Sequence, residues 1–178
     1  MNSTRCHGFP SGLNPFRLSL LTQDALIDTL ALDAAVAEAQ KLTDPAETLI
    51  VVTADHGHAF VFAGYQSRAN PIFHAADLSE GTDHLPYSSL LYANGPGHRA
   101  RSNETNEQMS HMNYQQISAV PRSSETHGGA DVAIYAHGPF SHLFRGVLQQ
   151  NVIPHIIAYA ACIQDFAGLD VGELEHCQ

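Results

Sequence analysis

Residues Thr48–Ala54 read TLIVVTA, and Asp55, His56, Gly57 and His58 follow at once. The run is β-branched at Thr48, Ile50, Val51, Val52 and Thr53 and carries no charge, which is the pattern of a short strand buried on both faces of a sheet. In open α/β sheets the chain leaves the sheet at the carboxyl ends of strands, where side chains and backbone N–H groups face a crevice. The run therefore delivers a carboxylate and an imidazole to the place where ligands collect.

Upstream, Thr22 or Asp24 can cap a helix whose face is marked by Leu26, Leu30, Ala34, Ala37 and Leu42, and which lasts to about Lys41. Asp44 and Pro45 stop it. Residues 1–21 hold Pro10, Gly12, Asn14 and Pro15 without a sustained period and read as irregular. Downstream of Phe62 the composition shifts toward Gly, Pro, Asn and Ser, with one strand signal at Ser88–Ala93 (SSLLYA). A second buried-strand signal, Asp131–Ala136 (DVAIYA), follows His127, Gly128 and Gly129 closely. Pro139 and Ser141 can start a helix through Gln150, and Pro154 begins another to about Ile163. Helix, strand, loop-rich insertion, strand, helix, helix is an α/β arrangement.

A chain of 178 residues with 44% apolar composition is long enough for an ordinary globular core. Eight basic against eighteen acidic residues give a net charge of -10, which argues against binding nucleic acid or an anionic membrane. An anionic substrate would need metal ions beside it. The twelve histidines fit that chemistry, since histidine is the commonest metal ligand near neutral pH. No window approaches the roughly 20 apolar residues of a transmembrane segment, and Met1–Leu21 lacks the basic-then-apolar order of a signal peptide. On spacing alone, Cys162 and Cys177 fit a closed loop and a buried thiol beside an exposed one equally well, with Cys6 left over.

Asp55 and His56 offer one hard oxygen and one borderline nitrogen, a combination zinc accepts, and equally the makings of a hydrogen-bonded structural pair. With period two, His58 shares a face with His56 and is placed to hydrogen-bond a ligand from behind. His127 precedes two glycines that permit close approach of a ligand or simply a flexible turn. His74, His84, His98, His111, His137, His142 and His155 receive no chemistry. Neither a Gly-x-Ser-x-Gly elbow, a Cys-x-x-Cys pair nor a complete dinucleotide loop occurs.

The run Thr48–Tyr65, TLIVVTADHGHAFVFAGY, resembles the strand of animal alkaline phosphatases whose adjacent Asp and His bind one of two catalytic zinc ions. Ser118–Cys162, SAVPRSSETHGGADVAIYAHGPFSHLFRGVLQQNVIPHIIAYAAC, resembles the C-terminal third of the same family. NPIF and LLYANGPG, between them, resemble its crown, a surface insertion involved in dimer contacts. The resemblance runs in order from about Thr22 to Cys162. It implies the C-terminal portion of the family's sheet with flanking helices and a crown-like insertion at about 64–126, within a partial domain over 22–178; residues 1–21 resemble nothing in it.

The same resemblance implies phosphate monoester hydrolysis by a two-zinc, phosphoserine mechanism. Asp55 and His56 correspond to ligands of the zinc that activates the serine, and His127 to a ligand of the partner zinc. Tyr65 corresponds to a crown tyrosine at the subunit contact of a homodimer, and Cys162 with Cys177 to a C-terminal disulfide. An extracellular or cell-surface location is implied as well. The family's serine, its phosphate-binding arginine and most magnesium ligands correspond to nothing in this chain. Counting back from Asp55 to the remaining ligands of the second zinc lands near Asn14 and Leu18, neither of which replaces the expected residue. Ala130 stands where an acidic residue is usual. The expected consequence is two incomplete zinc sites and a chain inactive by itself, or else a noncatalytic dimerisation or interaction fragment.

Overall fold

The computed structural model describes residues 22–78 and 80–163. They divide into two compact units. One takes the residues up to Ala31 together with Gly57–Ala130; the other takes Leu32–His56 and the residues from Asp131 on.

Helix α1, Thr22–Leu42, begins in the first unit and ends in the second. Its stop is chemical: the Asp44 carboxylate accepts from the Ala46 N–H at 2.8 Å, an Asx turn that competes with continued helix, and Pro45 has no N–H to give. In the first unit Thr22 is buried, and the Gln23 amide donates to the Ser110 carbonyl at 2.9 Å.

The first unit is built on a three-stranded sheet ordered β3-β4-β5, with β3 at Phe60–Phe62, β4 at Leu90–Gly95 and β5 at Ser118–Pro121. Strand β4 is central, antiparallel to β3 and parallel to β5. Its Leu90 is fully buried, and Ser88, Ser89, Met109, Ile117 and Ser118 are buried with it. The buried hydroxyls are satisfied locally: Ser88 donates to the Leu90 carbonyl at 2.7 Å and Ser118 to the Gly95 carbonyl at 2.8 Å. The strand signal in Ser88–Ala93 is thus real and displaced by two residues. A short helix, α2 at Asn106–Met109, carries Met109 into this core. A two-stranded ribbon, β2 at Gly57–His58 against β6 at His127–Gly128, belongs to the same unit.

In the second unit β1, Ile50–Thr53, pairs antiparallel with β7, Ile134–His137, in the register Val51 to Ala136 and Val52 to Tyr135. The expectation of a strand buried on both faces is corrected here. Ile50, Val51 and Val52 are half-buried and Thr53 is exposed, because β1 has one partner strand among the described residues. Gly138 ends the ribbon at φ 104, where an added Cβ would meet the Thr48 carbonyl oxygen at 2.0 Å; only glycine fits that approach. The helix expected from Pro139 to Gln150 is reduced to a single 3-10 turn at Ser141–Leu143, since Gly146 adopts φ 73 and takes the chain out of helical geometry. Helix α3, Val152–Ala160, forms as expected around Pro154 and buries Ile156 and Ala158.

Most of the apolar face expected on α1 is uncovered among the described residues, Leu26 alone of its leucines being half-buried. Leu30 is 68% and Leu42 77% exposed, with Ile27 and Leu32 also exposed, whereas a stable amphipathic helix buries such a face. The isolated chain is therefore expected to bind a hydrophobic dye such as anilinonaphthalene sulfonate, and the double substitution Leu30→Glu with Leu42→Glu to reduce that fluorescence. Equal dye binding by both proteins would show that the stripe is not the exposed surface.

Candidate metal centre

Asp55 and His56 follow β1 directly, so the pairing of β1 with β7 fixes where their backbone leaves the ribbon. The two side chains face each other. The Asp55 Oδ2 lies 3.4 Å from the His56 Nε2, and the Asp55 Oδ1 accepts the His56 backbone N–H at 3.1 Å. The carboxylate is 86% exposed, so as an ion pair the contact is worth little to stability. A hard oxygen and an imidazole nitrogen at one point are a chemically suitable start for a divalent ion.

His127 lies in β6, on the other unit, directly opposite His58 in β2. Their rings meet edge to face with centroids 5.7 Å apart. The segment before His127 is clamped to the sheet by Asn94 of β4: its Oδ1 accepts the Thr126 N–H at 2.9 Å, and its Nδ2 donates to the Thr126 hydroxyl at 2.8 Å. The Ala59 N–H adds a third bond, to the Thr126 carbonyl at 3.0 Å. Sequence reasoning passed over Asn94. The available signal was an asparagine inside a strand, where its residue type is disfavoured unless its amide has a task. Beside this segment Glu125 is held in a desolvated position that pushes its carboxyl up to about 7. It borders a cavity of about 10 Å³ shared with Tyr92, Gln116 and Ser118, room for a single water.

A sequence profile described as "Alkaline phosphatase" matches residues 21–163. The chain belongs to the alkaline phosphatase family. It is 50% identical over 145 residues to the tissue-nonspecific alkaline phosphatase isozyme of Gallus gallus, covering 79% of this chain and 28% of that protein. The Homo sapiens tissue-nonspecific isozyme is 45% identical over 159 residues, 87% of this chain and 29% of the relative. An alkaline phosphatase of Gadus morhua is 47% identical over 146 residues, 79% of this chain and 30% of the relative. The chain thus spans under a third of the length of these relatives.

Alkaline phosphatases use metal ions, which need several donors at one point. A zinc ion held by protein takes three or four ligands. Among the described residues no three His, Cys, Asp or Glu side chains gather in a way that could hold an ion. The Asp55 and His56 pair supplies donors of the right kind and too few of them, so the described residues do not by themselves complete a metal site. Tyr65, the expected subunit-contact residue, is 82% exposed on the first unit. Cys177 of the expected disulfide lies outside the described residues, as do Asn14 and Leu18. No described helix is long and apolar enough to cross a membrane.

Proposed function

We propose that this chain is the metal-binding C-terminal portion of a phosphate monoester hydrolase and is inactive when isolated. One observation carries the reading: Asp55 and His56 point their donor atoms at each other from the end of β1, in a segment matched by the alkaline phosphatase profile. In the complete protein Asp55 and His56 would ligate one zinc ion and His127 the other, the remaining ligands coming from the portion of the relatives that this chain does not span. His58, across the ribbon from His127, would orient that imidazole. Two divalent ions about 4 Å apart supply charge neutralisation for both the attacking and the departing oxygen of a phosphoryl transfer. What this chain's own residues contribute is placement: β1 and β7 aim Asp55 and His56, and the Asn94 clamp on Thr126 fixes the backbone that presents His127. A magnesium site, the Cys162–Cys177 disulfide and an extracellular or cell-surface location belong to the same proposal.

The test is metal retention. Purified chain equilibrated with zinc and dialysed is expected to hold a substoichiometric amount, and Asp55→Ala is expected to lower it toward background. Unchanged zinc in both Asp55→Ala and His127→Ala would remove these residues from the ligand set.

A second reading has its own support. The crown-like stretch expected at about 64–126 would fall within the first unit, Tyr65 is exposed there, and apolar residues of α1 such as Leu30 are uncovered. A noncatalytic dimerisation fragment would use these surfaces. Co-purification with a full-length relative would support it, and elution of the chain alone would count against it.

A further inference from the structure

We propose that the Asn94-Gly95 peptide is a site of spontaneous deamidation that the folded chain holds shut through Thr126, so that its conversion records opening of the first unit's sheet. Asn94-Gly95 is the only Asn-Gly dipeptide among the 178 residues. Asparagine is a thermolabile residue, and a following glycine, having no Cβ, leaves its backbone nitrogen open to attack the asparagine side chain. The dipeptide is ordinarily a turn signal, yet here it closes the central strand β4. The fold demands both residues. Gly95 is buried at φ 144, a conformation that residues with a side chain rarely adopt. Asn94 is half-buried and makes the two bonds to Thr126, accepting its N–H at 2.9 Å and donating to its hydroxyl at 2.8 Å. A chemically labile pair therefore stands where the strand has no substitute for it.

In the opened chain the Gly95 nitrogen loses its proton and attacks the Asn94 Cγ. A C–N bond closes a five-membered succinimide, the Cγ–Nδ2 bond breaks, and ammonia leaves carrying that proton. Water then adds to either ring carbonyl and the ring opens to aspartate or isoaspartate. One water enters and one ammonia departs, with no oxidation or reduction. In the folded chain ring closure is blocked twice. Thr126 holds both polar atoms of the amide, so Cγ reaches the Gly95 nitrogen only after two hydrogen bonds break. Asn94 and Gly95 also pair with Val120 and Pro121 of β5, an extended backbone that the ring would bend. The Gly95 carbonyl is fixed further by the Ser118 hydroxyl at 2.8 Å and the Arg122 N–H at 3.3 Å. The products do not fit back. Isoaspartate adds an atom to the β4 backbone and takes Gly95 out of register with Pro121, while aspartate sets a second carboxyl on the small cavity that Glu125 borders.

The test follows position 94 in the full 178-residue chain, held at mildly alkaline pH in buffer or in guanidinium chloride, by peptide mass spectrometry that scores aspartate and isoaspartate separately. Conversion is expected to be at least about tenfold faster in denaturant, because a residue closed in the fold reacts only through its open fraction. Thr126→Val removes the hydroxyl that holds Nδ2 and is expected to raise the rate in buffer severalfold. The rate of that variant in denaturant is expected to stay that of the parent chain, since Thr126 lies thirty-two positions from Asn94. Thr126→Ser keeps the hydroxyl and is expected to keep the slow rate in buffer. Equal rates for the parent chain in buffer and in denaturant would overturn the proposal. So would a Thr126→Val rate in buffer no faster than the parent's, or a Thr126→Ser rate as fast as that of Thr126→Val.

Discussion

Purified chain incubated with zinc, magnesium and p-nitrophenyl phosphate at alkaline pH is expected to release no more p-nitrophenol than a metal-only blank. The expectation follows from the donor count. Enzymatic hydrolysis of phosphate monoesters needs rate accelerations of many orders of magnitude, and metal-assisted catalysis supplies them only when ions are fixed in number and geometry. Among the described residues no three ligating side chains gather, and Asp55 and His56 supply two donors. The chain also spans only 28–30% of the length of its relatives, and the resemblance puts the family's serine in the part it does not match. Turnover that is robust and abolished by a chelator would sink the incomplete-site reading outright.

Leu90→Ala is expected to destabilise the first unit by about 2–5 kcal/mol, the range for removing a large buried aliphatic side chain. Leu90 is fully buried in the central strand β4, opposite Phe62, within the set that includes Met109 and Ser88. The same strand carries Asn94, whose two bonds to Thr126 hold the segment leading to His127, so loss of β4 packing reaches the candidate metal ligand as well as the core. Val120→Ala on β5 is the control: its side chain is 53% exposed, and a change within about 0.5 kcal/mol is expected. Urea midpoints for the two variants decide the matter. A Leu90→Ala midpoint equal to that of Val120→Ala would show that β4 is not the structural centre of the unit.

Local chemistry made much of the fold legible. The helix at Thr22–Leu42 appears with its stop at Asp44 and Pro45, since a cap, a periodic face and a breaker all act within a few residues. The helix around Pro154 was readable for the same reason. The helix expected over residues 139–150 failed because periodicity does not report that Gly146 adopts φ 73, a conformation set by what the turn must join. The burial of β1 was overestimated for a related reason: a continuous apolar run records what a strand is suited to pack against, and not whether that partner is present.

By itself the sequence determined the family, the helix after Thr22, the strands near Ile50–Thr53, Leu90–Gly95 and Ile134–His137, and the donor types at Asp55, His56 and His127, because these depend on residue identity and short-range spacing. Only tertiary structure decided that the Asp55 carboxylate turns onto His56, that His58 stands across from His127, and that Asn94 grips Thr126 from thirty-two positions away. Pairings between distant segments are set by register and packing, to which a local pattern contributes only suitability.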